Sequence, residues 1–305
     1  MKRVLSLLPS ATEIIFALDA ADALVGVTHE CDYPAEAGSL PQVTSARIDS
    51  TIESGEIDRL VREQLEGSGT LYALDLPLVR MLRPEIVLTQ QLCTVCAVGY
   101  ETVRAAMRTL DDPPAVVNLE PANLAEVFAT FIEVRRDLDI ESRAAQLVAG
   151  LRDRLTRIPA LVTAPNILFL EWLIPPFSAG HWMAELVEAA GAGPVLADRG
   201  GHSRQLTWEQ INEADFETIV VSCCGFNVER TMQDVESSIE LRAILDERPE
   251  LGLIVFDGNH YFSRPGPRLV ESAELLNRAL RGITPADAGG SIANPYRIVR
   301  GGHGC

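Results

Sequence analysis

VLSLLPSATEIIFAL, residues 4–18, decides how the rest of the chain is read. Val4 to Leu8 is a short β-type run that stops at Pro9. Ser10 and Glu13 then form an S-x-x-E capping box that opens a helix over Ala11 to Leu18. A second apolar run, Leu24 to Val27, leads into the polar loop Thr28-His29-Glu30-Cys31-Asp32-Tyr33-Pro34. Strand, turn, helix and strand in this order open an α/β unit with a parallel sheet.

With Lys2 and Arg3 ahead of it, the same stretch has the outline of a signal peptide. Pro9, Ser10, Thr12 and Glu13 break the apolar run, and a carboxylate in its middle opposes translocation. The chain as given is therefore expected in the cytoplasm, or in the periplasm or at the cell surface if the start site is misassigned. No other stretch approaches the roughly 18 uninterrupted apolar residues needed to span a bilayer, so no direct membrane insertion is expected. Lys and Arg number 26 against 43 Asp and Glu, a net charge of −17 that repels phosphates and excludes nucleic acid as a partner.

Further along, helical periodicity covers Asp49 to Leu65 and Leu76 to Leu82, and Arg83-Pro84-Glu85 introduces a strand over Ile86 to Thr89. A helix over Glu101 to Leu110, a strand over Ala115 to Leu119 and a helix over Leu124 to Leu138 complete a first lobe, 1–138. The charged, amphipathic stretch 139–160 reads as a rigid helix joining it to a second lobe, 161–281. That lobe alternates strands at Ile167 to Glu171, Thr218 to Ser222 and Gly252 to Phe256 with helices at Met183 to Ala190, Thr207 to Ala214, from Glu240, and Arg268 to Leu280. Residues 282–305, rich in Gly, Ala and Pro, read as an irregular surface tail. The fold class is thus α/β: two Rossmann-like lobes with mainly parallel sheets joined by one long helix.

In such sheets ligands sit beyond the carboxyl ends of the strands, in a cleft between lobes where two lobes exist. The residues there include Ser10, His29 and Gln91 in the first lobe, and Glu171, Trp172, His181, Trp182, Phe226, Asn259 and Tyr261 in the second. The run 171–182, with two Trp, one Phe and two Pro, reads as a rigid apolar wall suited to a large flat ligand. Arg264, in the polar run before the last helix, suits an anionic or amide-bearing ligand edge. Cys93 and Cys96 form a C-x-x-C pair that, joined by Cys31, with or without His29, makes a metal site such as zinc or an iron–sulfur centre an alternative reading. No oxyanion motif or orienting partner accompanies Cys93 and His29, so catalysis is not expected.

LLPSATE (7–13), VGVT (25–28), LRPEIVL (82–88) and SRPGPR (263–268) together resemble the helical-backbone metal-receptor family, the class III substrate-binding proteins of importers for cobalamin, haem and iron–siderophores. The resemblance covers about residues 1–280 and is closest to the cobalamin-binding branch. It implies non-catalytic binding of cobalamin or a related metal chelate, and docking on an ABC permease through one acidic residue per lobe, for which Glu101 and Glu209 are the candidates. The coupled ATPase would be another polypeptide, since no G-x-x-x-x-G-K signature occurs.

Overall fold

The computed structural model describes residues 2–67, 71–91, 99–138 and 141–300. The chain divides into two compact units, residues 1–121 with 125–149, and residues 122–124 with 150–305.

The first unit runs β1 (Val4–Ser6), α1 (Pro9–Ala17), β2 (Leu24–Val27), β3 (Thr44–Ala46), α2 (Ser54–Gly67), β4 (Tyr72–Leu74), α3 (Leu76–Leu82), β5 (Ile86–Thr89), α4 (Tyr100–Met107), β6 (Ala115–Asn118) and α5 (Leu124–Leu138). Its four-stranded sheet is parallel throughout, in the order β2-β1-β5-β6. Leu5 and Val87, from the two central strands, meet Val79 of α3 and Val103 and Met107 of α4 in a fully buried cluster. Strands buried on both faces read as continuous apolar runs, which is why β1, β2 and β5 stand out in the sequence. The β3–β4 antiparallel pair lies apart from this sheet. It carried no comparable apolar signal.

The capping box expected at Ser10 does not form. α1 begins two residues before the expected Ala11, at Pro9, and no side chain caps it. Proline suits the first helical position because its ring presets φ and its missing N–H costs nothing there. Ser10 is consequently one residue inside the helix, and it is buried.

Between the units in sequence lies α6 (Glu141–Thr156), and the division falls inside this helix, after Ala149. The second unit continues with β7 (Asn166–Leu173), β8 (Pro176–Ser178), α7 (Met183–Ala189), β9 (Gly193–Val195), α8 (Trp208–Glu213), β10 (Thr218–Val221), α9 (Val228–Ser237), α10 (Ile239–Glu247), β11 (Gly252–Phe256), α11 (Arg268–Leu280), α12 (Pro285–Ala288) and β12 (Tyr296–Arg300). Here β9, β7, β10 and β11 are parallel neighbours in that order, repeating the order of the first unit. In this duplicated plan α8 precedes β10 as α3 precedes β5. Both helices open on side-chain caps, Thr207 with Gln210 for α8 and Asp75 for α3.

The tail expected to be irregular is ordered up to Arg300. β12 pairs antiparallel with β11, and Tyr296 stacks on Phe256 at 5.0 Å while its hydroxyl donates to the Ile283 carbonyl at 2.6 Å. The stretch YRIVR alternates in and out of the core, a two-residue period outweighed in the sequence by the flanking Gly and Pro. His303 and Cys305 lie outside the described residues.

Candidate functional site

β7 is fully buried from Ile167 to Leu170, whereas Glu171 and Trp172, nearer its end where it pairs with β8, are partly exposed. Beyond it the chain folds back as β8, and a second segment, 200–206, runs antiparallel to 176–181. Four backbone bonds join the segments: Leu206 donates to the Pro176 carbonyl, Ser178 to that of Arg204, His181 to that of Gly201, and Gly200 to that of His181. Gly180 makes this approach feasible. A Cβ there would lie 2.3 Å from the Ser203 backbone nitrogen. This pairing sets the His181 Nε2 3.2 Å from the His202 Nδ1, with the rings edge to face. His181 adopts a left-handed backbone, φ 54°, a conformation that Asn, Asp and His accept more readily than most residues.

Glu171 ties both flanks of this pair. Its carboxylate accepts from the Gly180 amide at 3.2 Å and is hydrogen-bonded to Ser203. Burial, incompletely offset by these two bonds, pushes the Glu171 carboxyl up to about 7. Burial, and then the charge His202 would carry, lower the His181 value. Because the folded value for Glu171 lies above its ordinary 4.5, the native state retains a proton that the unfolded chain has lost between the two. Stability contributed at this site is therefore complete below about pH 4.5, falls as pH rises to about 7, and stays low above. Glu171→Gln keeps an acceptor without the charge. Its thermal midpoint should exceed that of the wild type by a few degrees at about pH 8 and match it at about pH 4. Equal midpoints at both pH values would show a solvated carboxylate instead.

Trp172 stacks on Phe226 at 4.9 Å, and the Arg230 guanidinium covers the Phe226 ring at 4.3 Å. The indole N–H of Trp172 donates to the Ile174 carbonyl at 2.9 Å, which fixes the ring's orientation. Phe226 is held in turn by Gly258 and Asn259, whose amides both donate to its carbonyl. Asn259 is partly exposed and its Oδ1 accepts from the Arg264 guanidinium at 2.9 Å.

Several residues expected at the ligand prove to be interior. Ser10, Trp182, Phe226, Tyr261 and Arg264 are all buried. The Trp182 indole donates to the Phe262 carbonyl at 2.7 Å, and the Tyr261 hydroxyl donates to Glu271 at 3.0 Å and accepts from the Ile292 amide. Aromatic residues with one polar atom are readily buried when that atom finds a partner, so sequence position beside a loop did not distinguish wall from core. His29 is partly exposed, its Nδ1 2.7 Å from the Thr44 hydroxyl and its ring 5.6 Å from Tyr72, both on the β3–β4 pair. Gln91 is exposed. His202 and Ser203 were missed, although the sequence does place a histidine after two glycines at 200–202, a loop signature that gives no hint of its partner.

The metal reading fares poorly for Cys31. It is buried in the first unit, where the Thr12 hydroxyl lies 3.1 Å from its sulfur and 2.8 Å from the Ser6 hydroxyl. Cys93 and Cys96 lie outside the described residues. Among the described residues no group of three or more His, Cys, Asp or Glu is disposed to hold a metal ion. Cys223 is packed in the second unit, where burial raises its thiol well above the usual range. Glu101 is exposed and pairs with Arg104 on α4, whereas Glu209 is exposed in the first turn of α8. The duplicated topology matches α8 with α3, so the positional counterpart of Glu209 lies near Asp75 rather than at Glu101.

Known proteins extend this picture. The vitamin B12-binding protein of Pectobacterium atrosepticum is 24% identical over 290 residues, covering 90% of this chain and 87% of its own. Among solved structures, a periplasmic haem-binding protein from Pseudomonas aeruginosa superposes with a TM-score of 0.68 at 18% identity, over 91% of this chain and 92% of that one. The periplasmic vitamin B12-binding protein of Vibrio cholerae gives 0.59 at 18% identity, over 92% and 97%. No described helix is long and apolar enough to cross a membrane. The cytoplasmic expectation finds no support, because the matching family is described as periplasmic. The family's sequence pattern matches residues 4–244, and the chain belongs to the periplasmic binding proteins, a family that binds its substrates without catalysing their reaction.

Proposed function

We propose that this chain is the substrate-binding component of an ABC-type importer and that its ligand is cobalamin or a related metal chelate. The observation that carries the reading is Trp172: partly exposed at the end of β7 that pairs with the edge strand β8, backed by Phe226 and Arg230, with its polar atom already bonded. A fixed, supported aromatic face suits a large flat ligand. The vitamin B12-binding relatives support the same choice. Around Trp172 the partly exposed side chains of His181 and Asn259 are offered to the ligand's edge, and the Glu171 carboxylate, bonded to Gly180 and Ser203, holds the His181 segment in place. Docking on a permease is assigned to Glu209 and, in the first unit, to Glu101 or Asp75. The ATPase is a separate polypeptide.

Absorbance titration with cyanocobalamin tests this, because a bound corrinoid reports through its own spectrum. A saturable spectral shift supports the reading. Flat titrations with both cyanocobalamin and haem would overturn it. Trp172→Ala should weaken the binding roughly ten- to hundredfold, the equivalent of about 1.5–3 kcal/mol of lost aromatic burial, without altering the far-ultraviolet circular dichroism. An unchanged affinity would remove the Trp172 face from the site.

A further inference from the structure

We propose that His181 and His202 form a clip for a divalent transition-metal ion of the zinc, nickel and copper class. The inference shares His181 with the chelate reading but does not depend on it.

The two facing nitrogens are 3.2 Å apart. Two imidazole nitrogens bound to one tetrahedral metal at about 2.0–2.1 Å are separated by about 3.3 Å, so the pair already holds the spacing that a shared metal requires. In the metal-free pair one nitrogen donates a hydrogen to the other. On binding, that hydrogen moves to the far nitrogen of its own ring, both imidazoles stay neutral, and the metal takes the lone pairs of His181 Nε2 and His202 Nδ1. Imidazole is the preferred ligand type for these ions.

The spacing is built rather than accidental. The backbone of His181 is bonded at both its amide and its carbonyl to the 200–201 segment. Gly180 permits the close approach, and Glu171 holds the residue before one histidine and the residue after the other. Glu171 thus acts as a positioning residue, the part that partners outside the ligand set commonly play at metal sites. The Arg199 guanidinium is ion-paired with Glu188, which offsets its charge. His202 is exposed, leaving an open path for a hydrated ion. No third His, Cys, Asp or Glu joins the pair among the described residues, so water completes the coordination and micromolar affinity is expected.

The test uses the full chain with Cys93 and Cys96 replaced by Ser, so that these thiols cannot compete. Calorimetric titration with zinc and nickel chlorides should show one equivalent bound, and electron paramagnetic resonance of the copper-loaded protein should show two nitrogen ligands. His202→Ala changes an exposed side chain, and His181→Asn keeps a residue that accepts a left-handed backbone. Each should weaken binding at least tenfold while leaving the thermal midpoint without metal unchanged for His202→Ala. Absence of binding to the wild type, or wild-type affinity in both variants, would overturn the clip. Loss in one variant alone would also overturn it, since a single imidazole would then account for the site.

Discussion

Trp182→Ala should lower stability by roughly 3–5 kcal/mol, the range for removing a buried large aromatic side chain. Trp182 is 5% exposed, and its indole satisfies the Phe262 carbonyl at 2.7 Å. Truncation opens a cavity and strands that carbonyl, two costs that overlap rather than add. Against a total of about 5–15 kcal/mol for a typical domain the loss is severe, and the thermal midpoint of the second unit should fall by on the order of 10 °C. Trp182→Phe retains most of the volume without the donor, and should fall between the two. The sequence places Trp182 in an aromatic wall facing a ligand. A variant as stable as the wild type but unable to bind would restore that role and exclude the interior one.

Gly258→Ala is the second large effect. A Cβ at this position would lie 2.1 Å from the Cys223 carbonyl oxygen and 2.6 Å from its carbon, both backbone atoms that no rotamer change can move. The turn after β10 would have to shift away from the turn after β11. Forced overpacking of this kind costs about 1–3 kcal/mol, occasionally more. The loss would not be confined to stability. Gly258 and Asn259 donate to the Phe226 carbonyl, and Phe226 supports Trp172, so the displacement reaches the aromatic face. Denaturant unfolding and the corrinoid titration should therefore both be impaired by this one methyl group. A destabilised variant that binds with wild-type affinity would break the link from Gly258 through Phe226 to Trp172.

The proposed permease docking and chelate binding would make different demands on the chain. Glu209 sits in the first turn of a well-capped helix, and the hydrogen bonds there hold its carboxyl below the usual value, so it is negatively charged at neutral pH. A carboxylate at a helix N-terminus is also favoured by the helix dipole. Its counterpart by topology near Asp75 was invisible in the sequence, because the two acidic positions are matched through sheet order rather than through similar flanking residues.

The sequence by itself determined the elements that carry an uninterrupted apolar run or a clear helical period. Leu24–Val27, Ile86–Thr89 and Gly252–Phe256 are strands with the limits their apolar runs imply, and Leu76–Leu82, Leu124–Leu138 and Arg268–Leu280 are helices with the limits of their periodicity. Two α/β units followed from that alternation, since local pattern and burial carry the same message in these segments. Tertiary structure decided what the loop residues do. Trp172 and Trp182 are ten positions apart in one aromatic run, yet only the second is interior, because Trp172 lies on the end of β7 that pairs with the short edge strand β8 whereas Trp182 leads into α7 and bonds to Phe262. Cys31 looked like a ligand beside His29, but Thr12, nineteen residues earlier, takes its thiol into the core. His181 and His202 meet only because a glycine lets two backbone segments touch. Pairings across twenty or more residues are set by close approach in space, and no local period records them.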